Sequence, residues 1–239
     1  MDSVQTPHTS REFDQLLDRA RELVLEMCAR VERQVRDAVQ CLNPGTGALA
    51  EQVLRNEALV NVLERSIDEL VGQIIARRQP VASDLRLLTA LIKATTDLER
   101  VSDEAKKIAL SSRKIGAGSR PPLPRYVEVR HMAAIALEML RSAIESLEKL
   151  DPERTAQIER MDDEVDDAFR AILRQLITFM IEDPRTISGC LDVVFVAKAL
   201  ERVGDHAKNI SEYVVYAVKG KDVRHLSVEE IEREVGQAQ

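Results

Sequence analysis

A twelve-residue segment occurs twice in this chain, and that repeat limits what can be built around it. Asp97-Leu-Glu-Arg-Val-Ser-Asp-Glu-Ala-Lys-Lys-Ile108 returns 102 positions later as Ala199-Leu-Glu-Arg-Val-Gly-Asp-His-Ala-Lys-Asn-Ile210. The apolar pattern repeats with it. Leu91, Ala94, Leu98, Val101, Ala105 and Ile108 match Val193, Val196, Leu200, Val203, Ala207 and Ile210 at the same offset. Steps of three and four put each set on one face of an α-helix. The chain therefore reads as a duplicated helical unit, each copy closing with a long helix that carries the motif.

The remaining segments fill in each unit. Phe13, Leu16, Ala20, Leu23, Met27, Val31, Val35, Ala38 and Leu42 form one stripe, ended by the turn formers Asn43-Pro-Gly-Thr-Gly47. Val53, Val60, Ile67 and Ile74 then recur every seven positions, a heptad seam that stops near Gln79-Pro80. Ser83 is the expected N-cap of a third helix running from about Asp84 to Ser112. A fourth stripe begins at Met132, and Asp151-Pro152 and Asp183-Pro184 are start signals for the fifth and sixth helices. Aromatic residues are 3% of the chain and Trp is absent, which suits helices and starves strands. The fold class expected is all-α, with six long helices in two tandem, pseudo-repeated three-helix bundles over 11–113 and 125–220. A Gly- and Pro-rich linker at 114–124 joins them, residues 1–10 are expected to be disordered, and 221–239 form a tail that is a short helix or frayed.

Charge and cysteine content exclude several classes. Lys plus Arg number 34 against 41 Asp plus Glu, a net charge of −7, and nucleic-acid binding calls for the opposite balance. Cys28, Cys41 and Cys190 are odd in number and form no Cys-x-x-Cys, so they suit core positions in a reducing cytoplasm. The first ten residues lack the basic and apolar blocks of a secretory signal, and no apolar run is long enough to span a membrane. Membrane association is expected only indirectly, through partners. Phosphate loops, His-Glu-x-x-His and Gly-x-Ser-x-Gly are absent, and Glu128-Val-Arg-His131 is the only Glu-x-x-His.

The motif's acids carry the chemistry. Glu99 with Asp103, and Glu201 with Asp205, stand four apart, so each pair shares a helix face and repels by about 0.2–0.5 kcal/mol unless a cation offsets it. The plain reading supplies that cation from Lys107 and Lys208 on the same helix. The alternative is a metal, because the pairs lie at the edge of the buried stripe, where acids of a neighbouring helix can join them. Those are Asp162 and Asp166 in the second unit and Glu57 with Asn61 in the first. An all-oxygen donor set suits Mg²⁺, Mn²⁺, Ca²⁺ or iron better than zinc held by sulfur. His206, Tyr213 and Tyr216 read as ordinary packing residues.

Leu98-Glu-Arg-Val-Ser-Asp103 and Leu200-Glu-Arg-Val-Gly-Asp-His206 resemble the paired Glu/Asp-x-x-x-Asp signature of the PhoU family. Gln79-Pro-Val-Ala-Ser-Asp-Leu-Arg86 is similar to the start of that family's third helix, and Glu12-Phe-Asp-Gln-Leu16 with Met27 to its first. Ser102 stands where Gly is usual, and Glu57/Asn61 carries less charge than Asp162/Asp166. The resemblance implies carboxylate clusters that can hold metal ions (Mg, Mn, Fe or Zn). It also implies a cytoplasmic adaptor, not an enzyme, that holds down the phosphate-starvation response. Its implied partners are PstB, the ATPase of the Pst phosphate transporter, the sensor kinase PhoR, and a second copy in a homodimer. An accessory protein of a different phosphate permease and a metal-storing or iron-oxidising bundle are the alternatives.

Overall fold

The computed structural model describes residues 11–43, 45–116 and 127–236. Its elements in chain order are α1 (Arg11–Gln40), α2 (Gly47–Arg78), α3 (Ala82–Gly116), α4 (Val127–Lys149), α5 (Thr155–Glu182), α6 (Ile187–Lys219) and a short α7 (Val228–Gly236). The described residues contain no strand, and the fold is the all-α arrangement expected. Asp151 and Asp183 act as read, each accepting a hydrogen bond at 3.0 Å from the backbone N–H two residues on. Each opens a single 3₁₀ turn that begins with Pro and leads into the α-helix.

Some boundaries move. The third helix starts at Ala82, so Ser83 lies inside it instead of capping it, and it runs on to Gly116, taking the first three residues expected in the linker. The rest of that linker and residues 1–10 lie outside the described residues. The tail is ordered as α7, whose Ile231 and Val235 pack with Val223, Val215 and Ala156 in a small second core. Ion pairs from Lys221 to Glu234 and from Arg160 to Glu232 tie it down.

The heptad seam of α2 is as expected, with Val53, Val60, Ile67 and Ile74 all at 1% exposure or less. The three cysteines are buried, and burial pushes the Cys28 thiol up to about 12. The larger finding concerns the two bundles. α3 packs on α1 and α2, α6 packs on α4 and α5, and α3 and α6 pack on each other, with one apolar core running through both units.

The α3/α6 contact is antiparallel: Lys93 meets Tyr213 and Tyr216, Asp97 meets His206 and Asn209, and Glu104 meets Arg202. Each motif helix is therefore buried on two sides. One is the apolar seam; the other is a second heptad row, Ala90, Asp97, Glu104 and Ser111 on α3, and Asp192, Ala199, His206 and Tyr213 on α6. All but His206 and Tyr213 are below 9% exposed. Small and polar side chains let the two axes approach while the buried acids find partners across the interface.

Candidate functional site

The contacts between α3 and α6 bracket the two motifs, so the crossing is centred near Ser102 and Gly204, the equivalent positions of the two copies. At Gly204 a Cβ would make ordinary packing contacts, 3.4 Å from the Met139 side chain of α4 and 3.6 Å from Asp162 Oδ1 of α5. Ser102 has a different environment. Its hydroxyl donates to Gln34 Oε1 at 2.8 Å, Asn56 donates to the same oxygen at 3.0 Å, and Gln34 Nε2 donates to the carbonyls of Val53 and Ser102. The departure from Gly is thus absorbed by a buried polar network that the second unit lacks.

In the first unit the structure gathers Glu57, Asn61, Glu99 and Asp103 along facing edges of α2 and α3. Asn61 Nδ2 donates to Glu57 Oε1 at 3.1 Å, and Lys106 reaches the same oxygen at 3.1 Å. Burial first, then the charge of Asp103, with Glu57 adding to it, raises the Glu99 carboxyl above its ordinary pKa. Glu64, absent from the sequence reading, joins this edge; burial and the charge of Glu99 raise its carboxyl as well.

The second unit repeats the design with its acids placed differently around the lysine. Lys208, equivalent to Lys106, reaches Asp162 at 3.1 Å and Glu159 at 3.0 Å. Burial works to lower the Lys208 pKa, and the hydrogen bonds to Asp162 and Glu159 overcome it and raise it. Burial, then Glu201 and Asp162, raise Asp205. Glu159, also unread from sequence, is raised by burial against the opposing hydrogen bond from Lys208. Asp166 does not join this group; it pairs with Arg170 on its own helix at 3.1 Å.

The local lysine pairs expected from sequence are not formed. Lys107 binds Glu104 at 2.9 Å, because that carboxylate is buried and needs a partner, and Lys208 spans to α5 instead of Asp205. Glu99 lies 3.5 Å from Arg100 and Glu201 2.5 Å from Lys198, whereas Asp103 and Asp205 make no ion pair among the described residues. Also among these residues, no three His, Cys, Asp or Glu side chains converge as a ready metal cage.

His206 is more than rim packing. Its Nδ1 lies 2.6 Å from Asp97 Oδ1, to which Asn209 also donates at 3.2 Å, and it is near enough to Glu99 and Asp205 to offset charge on both. The reciprocal link across the crossing is Arg202 to Glu104 at 3.2 Å. Its symmetric counterpart would join Arg100 to His206; with a His in place of the acid, the link shifts to Asp97.

Fold and site together define a class: a duplicated helical-bundle protein whose motif helices cross at a shared centre, each with a carboxylate edge. The PhoU domain model matches residues 24–111 and again 129–214, and the chain belongs to that family. A PhoU homolog from a Burkholderia species, described as a phosphate-specific transport system accessory protein, is 46% identical over 95% of this chain and 97% of its own. The accessory protein PhoU of Escherichia coli K12 is 36% identical over 98% of this chain and 96% of its own. A crystal structure of PhoU from Pseudomonas aeruginosa superposes with a TM-score of 0.84 at 40% identity, covering 87% of this chain and all of that one.

Proposed function

We propose that this chain is a cytoplasmic regulatory adaptor of phosphate-specific transport and a negative regulator of the phosphate-starvation response. It acts between the Pst transporter, through its ATPase PstB, and the sensor kinase PhoR. The observation that carries this reading is identity over nearly the whole chain to proteins described as accessory to that transport system. No helix among the described residues is long and apolar enough to cross a membrane. An adaptor also needs surface to offer. Ile177 and Ile181 at the end of α5, and Ile187, Leu191 and Phe195 at the start of α6, stay exposed at one end of the second unit, a concentration typical of protein-binding surfaces. The homodimer belongs to the same reading, and light scattering on the pure protein tests it.

The carboxylate edges serve, in this reading, as divalent-cation sites. The residues are Glu57, Asn61, Glu99 and Asp103 in the first unit and Asp162, Glu201 and Asp205 in the second. Their donor set is all oxygen, and burial together with the neighbouring carboxylates raises the pKa of Glu99 and Asp205, so a cation such as Mg²⁺, Mn²⁺ or iron would relieve part of that cost. Lys106 and Lys208 hold part of that charge and would have to swing aside. A bound ion would cross-link α2 to α3 and α5 to α6, stiffening the surface offered to partners. Thermal unfolding checks this: a rise of several degrees with excess Mn²⁺ is expected, and no shift with Mg²⁺, Mn²⁺ or Fe²⁺ would remove metal from the mechanism.

The regulatory role is tested by alkaline phosphatase activity in phosphate-rich medium, in a strain lacking the gene. Wild type should silence the activity, and a quadruple Ala variant at Glu99, Asp103, Glu201 and Asp205 should not. No phenotype on deletion would sink the role.

A further inference from the structure

Away from the carboxylate edges, a cavity of about 200 Å³ lies between α3, the end of α6 and the segment that follows it. A single water needs only ~10–15 Å³ on the same measure. Its lining is Lys93 from α3, Glu212, Tyr213 and Tyr216 from α6, and Asp222 and Arg224 from the following segment. That segment is held in place by Val223 in the second core. Gly220 begins it in a left-handed conformation, φ 71°, with the Arg86 side chain packed where a Cβ would point.

The charges around the cavity are specific. The Lys93 ammonium sits 5.4 and 5.7 Å from the ring centres of Tyr213 and Tyr216 and makes no ion pair among the described residues. Aromatic faces attract a cation without neutralising it. Arg224 forks onto Asp222, its Nε at 2.9 and 3.2 Å from the two carboxylate oxygens, which orders the guanidinium and leaves that pair neutral. Two turns from Lys93 on α3, the buried Nε of Arg86 has no hydrogen-bond partner. Glu212, at 5% exposure, is the remaining charge. A cavity with an unpaired ammonium and an ordered guanidinium suits a small oxyanion, and a buried carboxyl on the same wall suits an anion that brings a proton of its own.

We propose that this cavity is a binding site for a small oxyanion carrying a hydroxyl, inorganic hydrogen phosphate. Lys93 and Arg224 donate to its oxygens and Glu212 shares a hydrogen bond with its P–OH. Burial, then the charge of Glu159, pushes the Glu212 carboxyl up to about 7, so it exchanges a proton with the ligand's hydroxyl at little cost near neutrality. Sulfate, which has the same shape and no proton at that pH, is accepted by the protonated form of Glu212 and meets the ionised form as a like charge, so it is the weaker ligand and weakens further as pH rises. Tyr213 also bonds to Asp97. An occupied cavity is therefore linked to the Asp97/His206 contact between the two units.

The test is calorimetric titration of the full chain at pH 7 with sodium phosphate, sodium sulfate or glycerol 3-phosphate, at matched ionic strength. Saturable phosphate binding is expected, with sulfate weaker and losing further ground when the titration is repeated at pH 8, and with phosphate binding weakened about tenfold or more in Lys93→Gln and in Arg224→Gln. Glu212→Gln should narrow the preference for phosphate over sulfate. Circular dichroism establishes that each variant is folded, and Glu212→Gln decides the matter if the cation variants are not. No saturation by about 10 mM phosphate overturns the proposal. So do equal affinities for sulfate and phosphate, undiminished affinity in both folded cation variants, or tighter binding of the ester than of the free ion.

Discussion

Lys106 and Lys208 occupy equivalent positions, yet they face different surroundings. Lys106 meets Glu57 with the amide of Asn61 beside it, whereas Lys208 lies between Glu159 and Asp162. One ammonium balances one carboxylate in the first unit and two in the second. With Glu64 in the first edge each side holds four carboxylates, so the two differ in which acids the lysine ties down and not in their number. The interiors differ in the opposite sense: the first unit buries the Gln34, Asn56 and Ser102 network where the second packs Gly204 against Met139. Duplication preserved the backbone and the position of the lysine. It left the filling of each half free to diverge.

The comparison can be broken most forcefully in the core. Leu98→Ala and Leu200→Ala, both at buried equivalent positions, should each cost about 2–5 kcal/mol. Because one core runs through both units, each should lower the midpoint of a single denaturation transition. Two separate transitions would show that the halves stand alone.

Next in size is Glu212, whose counterpart in the first unit is the half-exposed Leu110. Its folded pKa of about 7 lies above the ordinary 4.5, so the native state holds the proton more tightly than the unfolded chain. Its contribution to stability is complete below the ordinary value and is lost as pH rises through about 7. Glu212→Gln should therefore raise stability at pH 8 by roughly 1–3 kcal/mol and flatten urea midpoints measured from pH 5 to 8. An unchanged pH profile would remove Glu212 as its source.

Gln34→Ala strands the Ser102 and Asn56 partners and should cost about 1–3 kcal/mol. Gly204→Ser places its new atoms against the flexible end of Met139 and should stay within about 1 kcal/mol of wild type. Comparable melting shifts for the two would erase the polar/apolar distinction. Asn61→Asp adds a carboxylate to the first edge, beside Glu57. Without metal it should cost about 1 kcal/mol, since Glu57 loses a donor and gains a like charge, and Mn²⁺ should restore more than that. The smallest effect belongs to Arg170→Ala, which removes an exposed pair with Asp166 and should cost less than about 1 kcal/mol.

Much of this was legible in the chain. The offset of 102 located both motif helices and their apolar seams, and Asp-Pro located the starts of the last two long helices. The second buried row was not, because Ala90, Asp97, Glu104 and Ser111 look like a solvent face. Their spacing of seven was the available signal. Lys208 was misassigned because a same-helix acid is always in reach on paper, whereas the fold offers two better ones across a groove. The cavity was invisible for a third reason: Tyr213 and Tyr216 become walls only when Asp222 and Arg224 fold back over them.

The polar row between α3 and α6 has a consequence during synthesis. Its partners on α6 are made about 100 residues after α3, which at roughly 5–20 residues per second leaves the first repeat waiting for ~5–20 s on the ribosome. A greasy face left open that long invites aggregation. Asp97 and Glu104 instead keep it wettable until Arg202, His206 and Asn209 emerge. A nascent chain stalled after Gly116 should therefore remain soluble, while the same chain with Asp97→Leu and Glu104→Leu should aggregate or recruit chaperones.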